Sequence, residues 1–239
     1  MCCCDSDDGA PRLRTADLAR LASQRLRELR EEGRELHPVV GKGRRLADHF
    51  WGSAWMRRLA DGEEGGLCLA PGRCLLRHGC VLDLRIAEGL MEALVSADVL
   101  YEVELRLAPL DGERLEALRA ACCGHIASCV SLLEGKLDAP LLERLCDPET
   151  GLLPGPEDWR MRCSCPDWVE PCPHAAAAIY AAGVLIDEDP SLLFTLRSLR
   201  PEQLMSAPEE ALAAASPDGL AAPSELDALA SAFGIKIEL

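Results

Sequence analysis

The chain predicts an α+β fold, a small antiparallel sheet with a helical middle region and further helices on either side. Three observations predict it. Leu82, Leu84 and Ile86 alternate with Asp83 and Arg85, and Tyr101, Val103, Leu105 and Leu107 alternate with Glu102, Glu104 and Arg106. This is the two-residue period of half-buried strands. Leu18, Leu21, Ala22, Leu26 and Leu29 recur at helical spacing, as do Leu115, Leu118, Cys122, Ile126, Cys129 and Leu133. Ala175–Ala176–Ala177–Ala178–Ile179–Tyr180 is a strong helix-forming run. With 239 residues, 49% hydrophobic and 27% charged, the composition is that of a globular protein and excludes global disorder. A chain of this size buries roughly 70% of its unfolded surface, so it needs no disulfide framework to fold.

The elements follow in order. Residues 1–10 lack periodicity and read as a frayed tail, and a charged amphipathic helix is expected over Asp17–Leu36. Phe50, Trp51 and Trp55 read as a core anchor rather than a stacking platform for bases. Residues 73–107 read as a three- or four-stranded meander with turns at His78–Gly79 and Glu88–Gly89. Asp111 is expected to cap one long helix reaching about Glu134, and a short helix follows over Leu141–Leu145. Pro154–Gly155–Pro156 breaks the chain. Asp189–Pro190 reads as the start of a helix through Leu196. The last forty residues read as small Ala-, Pro- and Glu-rich helices, with a capping box at Ser224 and Asp227. The expected divisions are 1–40 for the tail and charged helix, 41–156 for the α+β region, 157–200 for a cysteine-rich segment with its helices, and 201–239 for the tail.

Charge narrows the function. The chain carries 25 Lys and Arg against 40 Asp and Glu, a net charge of −15. Residues 1–60 balance at +3, residues 61–160 at −10 and residues 161–239 at −8. Only the first quarter has the sign that attracts phosphate backbones, which argues against broad nucleic-acid binding. Direct binding through Arg44, Arg45, Arg57 and Arg58 stays as an alternative. The longest uncharged apolar run, Ala175–Ile186, has twelve residues, too few to span a bilayer. No secretory signal is visible, so a cytoplasmic protein without a membrane partner is expected.

Thirteen cysteines are many for such a location, and an odd number cannot all pair within one chain. One subset has the geometry of chemistry. Cys163, Cys165, Cys172 and His174 form C-x-C, six residues, then C-x-H. Zinc takes four thiolate or imidazole ligands in a tetrahedron, and two close pairs joined by a short turn supply them. Pro166 and Pro171 stiffen that turn, and Trp168 offers it an apolar shelter. Four protein ligands leave no open coordination position, so the expected Zn2+ is structural. The competing chemistry is a thiol-redox pair at Cys163 and Cys165, which requires an exposed thiol of low pKa.

This C-x-C-x6-C-x-H arrangement resembles the SWIM zinc finger, and its surroundings resemble the bacterial SWIM zinc-finger family over about residues 45–200. The outer matches are Trp51–Gly52–Ser53–Ala54–Trp55, Pro71–Gly72–Arg73, Gly79–Cys80–Val81, Leu152–Leu153–Pro154, Cys163–Ser164–Cys165–Pro166–Asp167–Trp168 and Asp189–Pro190–Ser191–Leu192–Leu193–Phe194. The resemblance implies a compact zinc finger with ligands at Cys163, Cys165, Cys172 and His174. It also implies a non-enzymatic protein- or DNA-interaction role, and a partner such as a Swi/Snf-type DNA translocase. The chain departs from the family at Arg73–Cys74–Leu75–Leu76–Arg77–His78, where the family is commonly Arg- and Tyr-rich, and at Pro173, where it often has Lys. Residues 161–175 set Arg162 against Asp167 and Glu170, and three thiolates on one dication add a further negative charge. A finger of that sign favours protein over DNA, with Trp168 and the helix after His174 as the expected contact surface.

Other constellations read as structural. Cys122, His125 and Cys129 would share one helical face and, with Cys123, could offer a second metal site, but Leu118, Ile126 and Leu133 on that face favour core packing. Cys68, Cys74 and Cys80 read as buried thiols, and Cys2, Cys3 and Cys4 as part of the tail. Histidines 37, 49, 78, 125 and 174 sit in no recognisable catalytic motif. No catalytic residue, bound cofactor other than zinc, or small-molecule substrate is therefore expected.

Overall fold

The computed structural model describes residues 15–43, 45–64, 69–147, 149–166 and 171–205. Expectations for Cys2, Cys3, Cys4, Arg44, Cys68, Asp167, Trp168, Glu170, Ser224 and Asp227 lie outside these residues, as does the tail from 206 to 239. The described elements are α1 (Thr15–Glu31), α2 (Phe50–Glu64), α3 (Ala70–Arg77), β1 (Val81–Ala87), β2 (Leu90–Ser96), β3 (Leu100–Leu107), α4 (Gly112–Cys122), α5 (Cys129–Leu133), α6 (Ala139–Leu145), β4 (Trp159–Cys163), α7 (Pro173–Glu188) and α8 (Ser191–Leu196). The fold is α+β, with one antiparallel sheet in the order β1-β2-β3-β4.

Alternation sorts the strands into two faces. Leu84, Ala93, Val103 and Cys163 form one inner row across all four strands, and Ile86, Met91, Leu105 and Met161 form the next. The outer face carries the row Arg85, Glu92, Glu104 and Arg162. Cross-strand partners approach closely, so the Arg85–Glu92 and Glu104–Arg162 pairs are favourable, whereas Glu92 faces Glu104 across β2 and β3 at a cost. Strand β4 had its own signal: Trp159, Met161 and Cys163 alternate with Arg160 and Arg162. Arg25 of α1 closes the β2–β3 end, its guanidinium donating to Ser96 Oγ and to the carbonyls of Ala97 and Asp98.

Helix α7 lies under the inner face and is buried on every side from His174 to Gly183. A helix apolar all round belongs in a core. Its alanines let neighbours come close. A Cβ placed on Gly72 of α3 would lie 2.5 Å from the Ala176 Cβ, and one on Gly183 would lie 2.5 Å from the Trp55 ring. Trp51 and Trp55 are the expected core anchors, at 1% and 2% exposure. Their indole N–H groups donate to the carbonyls of Leu132 (2.8 Å) and Ile179 (3.0 Å), which is how a tryptophan is buried without stranding its donor.

Three expectations are corrected. Residues 73–77 are helical, not a strand. Pro71 stands in the first turn of α3, where its missing N–H costs nothing, and Gly79 at φ +70° receives the chain as the helix ends. The expected single helix from Asp111 to Glu134 is two. Asp111 does cap α4, but Gly124 at φ +76° ends it and Ser128 caps α5 anew by accepting from Ser131 N–H. The helix read from Asp17 to Leu36 ends at Glu31, followed by Gly33 at φ +86°.

Behind the sheet, Arg197 is wholly buried and is paired with Asp158 at 3.0 Å and with the Ala108 carbonyl at 3.2 Å. Asp158 also takes the Gly155 N–H and lies 3.6 Å from Arg114. A buried cation that loses its counter-charge destabilises the fold by about 3–5 kcal/mol. Asp158→Asn is therefore expected to lower the urea-unfolding free energy by about that amount. At the α3–α7 contact, Gly72→Val overpacks against Ala176 and Ala177 and is expected to cost about 1–3 kcal/mol in the same measurement. Gly112→Ala, with nothing within 4 Å of the added carbon, should show no loss.

Candidate metal centre

The centre joins the edge of the sheet to the start of α7. Cys163 ends β4 on its inner face, in register with Val103. Ser164 extends the pairing, its N–H donating to the Glu102 carbonyl and its Oγ accepting from the Glu102 N–H, both at 3.0 Å. In an extended chain, side chains two residues apart share a side. Cys163 and Cys165 flank an exposed Ser164 where the chain leaves β4, and both reach the cluster. Cys172 caps α7, its Sγ accepting from Ala175 N–H at 3.4 Å. Pro173 occupies the first helical turn, a position where proline is favoured, and His174 follows it.

One ligand atom from each of Cys163, Cys165, Cys172 and His174 lies within 4.8 Å of all the others. His174 Nδ1 is 3.8 Å from Cys163 Sγ and 3.9 Å from Cys172 Sγ. A tetrahedron with zinc–ligand lengths has S···N edges of about 3.6 Å, so the cluster can close on an ion with small movements. Cys172 and His174 are buried, at 4% and 7% exposure, whereas Cys163 and Cys165 are partly exposed. The Tyr101 ring stacks on His174 with centroids 4.0 Å apart and planes at 28°, and its hydroxyl donates to Asp98 at 2.8 Å. The imidazole is thus held in place by packing from β3. This donor set can bind a metal ion.

The cluster is also electrostatically prepared. Hydrogen bonding from Cys163, with further contributions from His174, Ala175 N–H and Cys165, pulls the Cys172 thiol down against the opposing effect of burial. The same Cys163–Cys172 hydrogen bond, followed by burial, pushes the Cys163 thiol up. Of these two sulfurs, Cys172 is the readier to lose its proton. A cation entering the cluster must release the proton held by the other.

Among the described residues, no other group of three or more His, Cys, Asp and Glu side chains converges in this way. Cys122, Cys123, His125 and Cys129 do not, because the turn at Gly124 takes them off a common face. Cys122 is fully buried in the core, His125 lies 3.8 Å from Asp138, and Cys129 contacts Met205 at 3.3 Å. Cys74 and Cys80 are buried thiols, as their sequence context implies. The contact surface expected on the helix after His174 is corrected: that stretch of α7 is buried among α2, α3 and the sheet. Sequence reading missed Tyr101 and, through its hydroxyl, Asp98, which tertiary packing brings to the centre.

No family model matches the chain, and no solved structure matches it. The uncharacterized protein Rv2102 of Mycobacterium tuberculosis (strain ATCC 25618 / H37Rv) is similar, at 28% identity over 179 residues covering 74% of this chain and 63% of the relative. The chain thus spans less than two thirds of that relative's length. No helix among the described residues is long and apolar enough to cross a membrane.

The thiols outside the centre carry their own pH signature. Burial pushes Cys80 and Cys122 up to about 11 from an ordinary value near 9.0. Between those values the unfolded chain gives up protons that the folded chain retains, so stability is full below about pH 9 and falls as pH rises toward 11. Chemical denaturation from pH 8 to 11 should show this decline, and Cys80→Ala/Cys122→Ala should flatten it even though the variant starts less stable.

Proposed function

We propose that the chain is a non-enzymatic zinc-binding protein whose Cys3His centre is structural and whose role is protein interaction. The observation that carries this reading is the convergence of three sulfurs and one imidazole nitrogen within 4.8 Å. Soft thiolates with one imidazole in a tetrahedral set suit zinc. Because all four positions are protein ligands, the ion has no site for substrate or water, and what it supplies is a cross-link.

That cross-link acts on an edge. Strand β4 pairs only with β3 within the sheet, and Cys163 ends it. A metal bound there pins β4 to α7 and holds Arg162 beside Glu104 on the outer face. The shallow concavity of about 700 Å3 on that face, lined by Arg85, Glu92, Glu102, Glu104, Arg162 and Ser164, adjoins the centre. Its mixed charge suits a polar protein surface better than a nucleic-acid backbone. The resemblance to SWIM-finger proteins extends the reading to a Swi/Snf-type DNA translocase as partner.

Protein purified without added zinc is expected to contain about one zinc per chain. Cys172→Ser should lose the metal and should become protease-sensitive between β4 and α7. Folded wild-type protein free of metal, with readily oxidised Cys163 and Cys165, would replace this reading with thiol-redox chemistry. Partner choice is tested by titrating zinc-loaded wild type and Cys172→Ser against a purified Swi/Snf-type ATPase from the source organism. Binding should be confined to the metal-loaded form.

A further inference from the structure

The two edges of the sheet are finished differently. At β1 the segment ahead of α2 closes the edge: Val39 N–H donates to the Val81 carbonyl and Leu84 N–H to the His37 carbonyl, both at 3.1 Å. Strand β4 pairs with β3 on one side, and no described strand lies on its other side. Its pairing fixes which backbone groups face outward. Ser164 N–H donates to the Glu102 carbonyl and Ala108 N–H to the Asp158 carbonyl. The opposed pairs Glu104–Arg162 and Arg106–Arg160, in step with these, are therefore the hydrogen-bonded ones. The N–H and C=O groups of Met161 and Cys163 alternate with them and point away from β3. Among the described residues, neither backbone group of Met161 has a hydrogen-bond partner.

An unpaired edge is a template for another strand. What this one accepts is set by the side chains of β4. Arg160 and Arg162 are exposed on the outer face, and Met161 is partly exposed on the inner face between the buried Trp159 and the candidate ligand Cys163. Neither arginine has an ion pair among the described residues. The Arg160 guanidinium donates to the carbonyls of Glu157 and Trp159, and Glu104, which faces Arg162, is engaged by Arg106 at 2.9 Å. A second copy of β4 is a poor occupant. Antiparallel pairing about Met161 sets Arg160 against Arg162 twice, and like charges directly opposed are destabilising. A strand of opposite charge makes the same positions attractive, because cross-strand partners share a face.

We propose that the free edge of β4 docks an extended peptide segment in which acidic residues alternate with apolar ones. The backbone groups of Met161 and Cys163 supply the hydrogen bonds, Arg160 and Arg162 meet the acidic side chains, and the apolar side chains lie beside Met161. The inference rests on the protein-interaction reading above and gives that partner's chemistry.

The test uses the full chain and an acetylated, amidated peptide of about seven residues alternating glutamate and valine. A lysine–valine peptide is the control, and salt is kept near about 50 mM so that screening leaves charge contacts readable. The glutamate peptide should bind wild type saturably and at least about tenfold more tightly than the lysine peptide. Methylating the valine amides blocks the N–H groups that face β4 in antiparallel docking, and methylating the glutamate amides blocks those that face it in parallel docking. One set should weaken binding at least about tenfold and the other less than about twofold. Met161→Pro removes an outward N–H without removing a bond to β3, and should also weaken binding at least about tenfold. Should that variant unfold, the methylated peptides supply the same reading on unaltered protein. Arg160→Glu/Arg162→Glu should transfer the preference to the lysine peptide. Zinc content and light scattering are recorded on the same samples. Zinc-loaded wild type that binds no peptide, an equal effect of the two methylated sets, or a wild-type dimer that Met161→Pro dissolves overturns the inference and leaves the metal reading standing. Folded wild type that carries no metal yet binds the peptide supports the inference and overturns the zinc reading.

Discussion

The close packing of α7 against everything around it is the constraint on which the rest of the structure depends. From Ala175 to Ala182 the helix presents mostly methyl groups, and all of these residues are buried. Alanine contributes little apolar area of its own, so the helix is held by what small side chains allow. Gly72 brings α3 almost onto its backbone, Gly183 admits the Trp55 ring, and the inner face of the sheet packs against it. Burial of Trp51, Trp55, Leu76, Leu82, Met91, Leu105 and Phe194 around it supplies the hydrophobic stabilisation. A larger side chain at any of these crossings would separate layers that the core needs in contact.

This packing also places the candidate metal centre. Two donors sit at the N-terminus of α7, where Cys172 accepts a backbone N–H, and two sit at the inner edge of β4. Since α7 cannot move within the core, the position of β4 is the remaining freedom, and the Val103–Cys163 register removes it. Tyr101 then fixes the imidazole by stacking. The centre is thus a junction between the most enclosed helix and the edge strand, and an ion there would stabilise the edge more than the core.

Charge is arranged by region. The outer sheet face sets an arginine on each flanking strand, Arg85 and Arg162, around Glu92 and Glu104 on the middle two, and the Cys3His cluster gathers soft donors beside the inner face. Net charge alone conceals these differences.

Much of this was legible in the residues. The alternation at 82–86 and 101–107, the helical stripe ending at Leu29, the alanine run and the C-x-C-x6-C-x-H spacing each express a local period or a ligand geometry that needs no distant partner. Where sequence reading failed, nonlocal packing or a single backbone angle decided. The short apolar run Cys74–Leu75–Leu76 suits strand or helix equally, and contact with α7 selects the helix. The stripe from Leu115 to Leu133 is continuous, yet Gly124 at positive φ divides it and dissolves the shared face of Cys122, His125 and Cys129. Donor types and spacing were set by the chain alone, because they belong to twelve consecutive positions. Tyr101 against His174 was decided only by tertiary structure, because strand pairing and helix packing join residues that carry no local mark of one another.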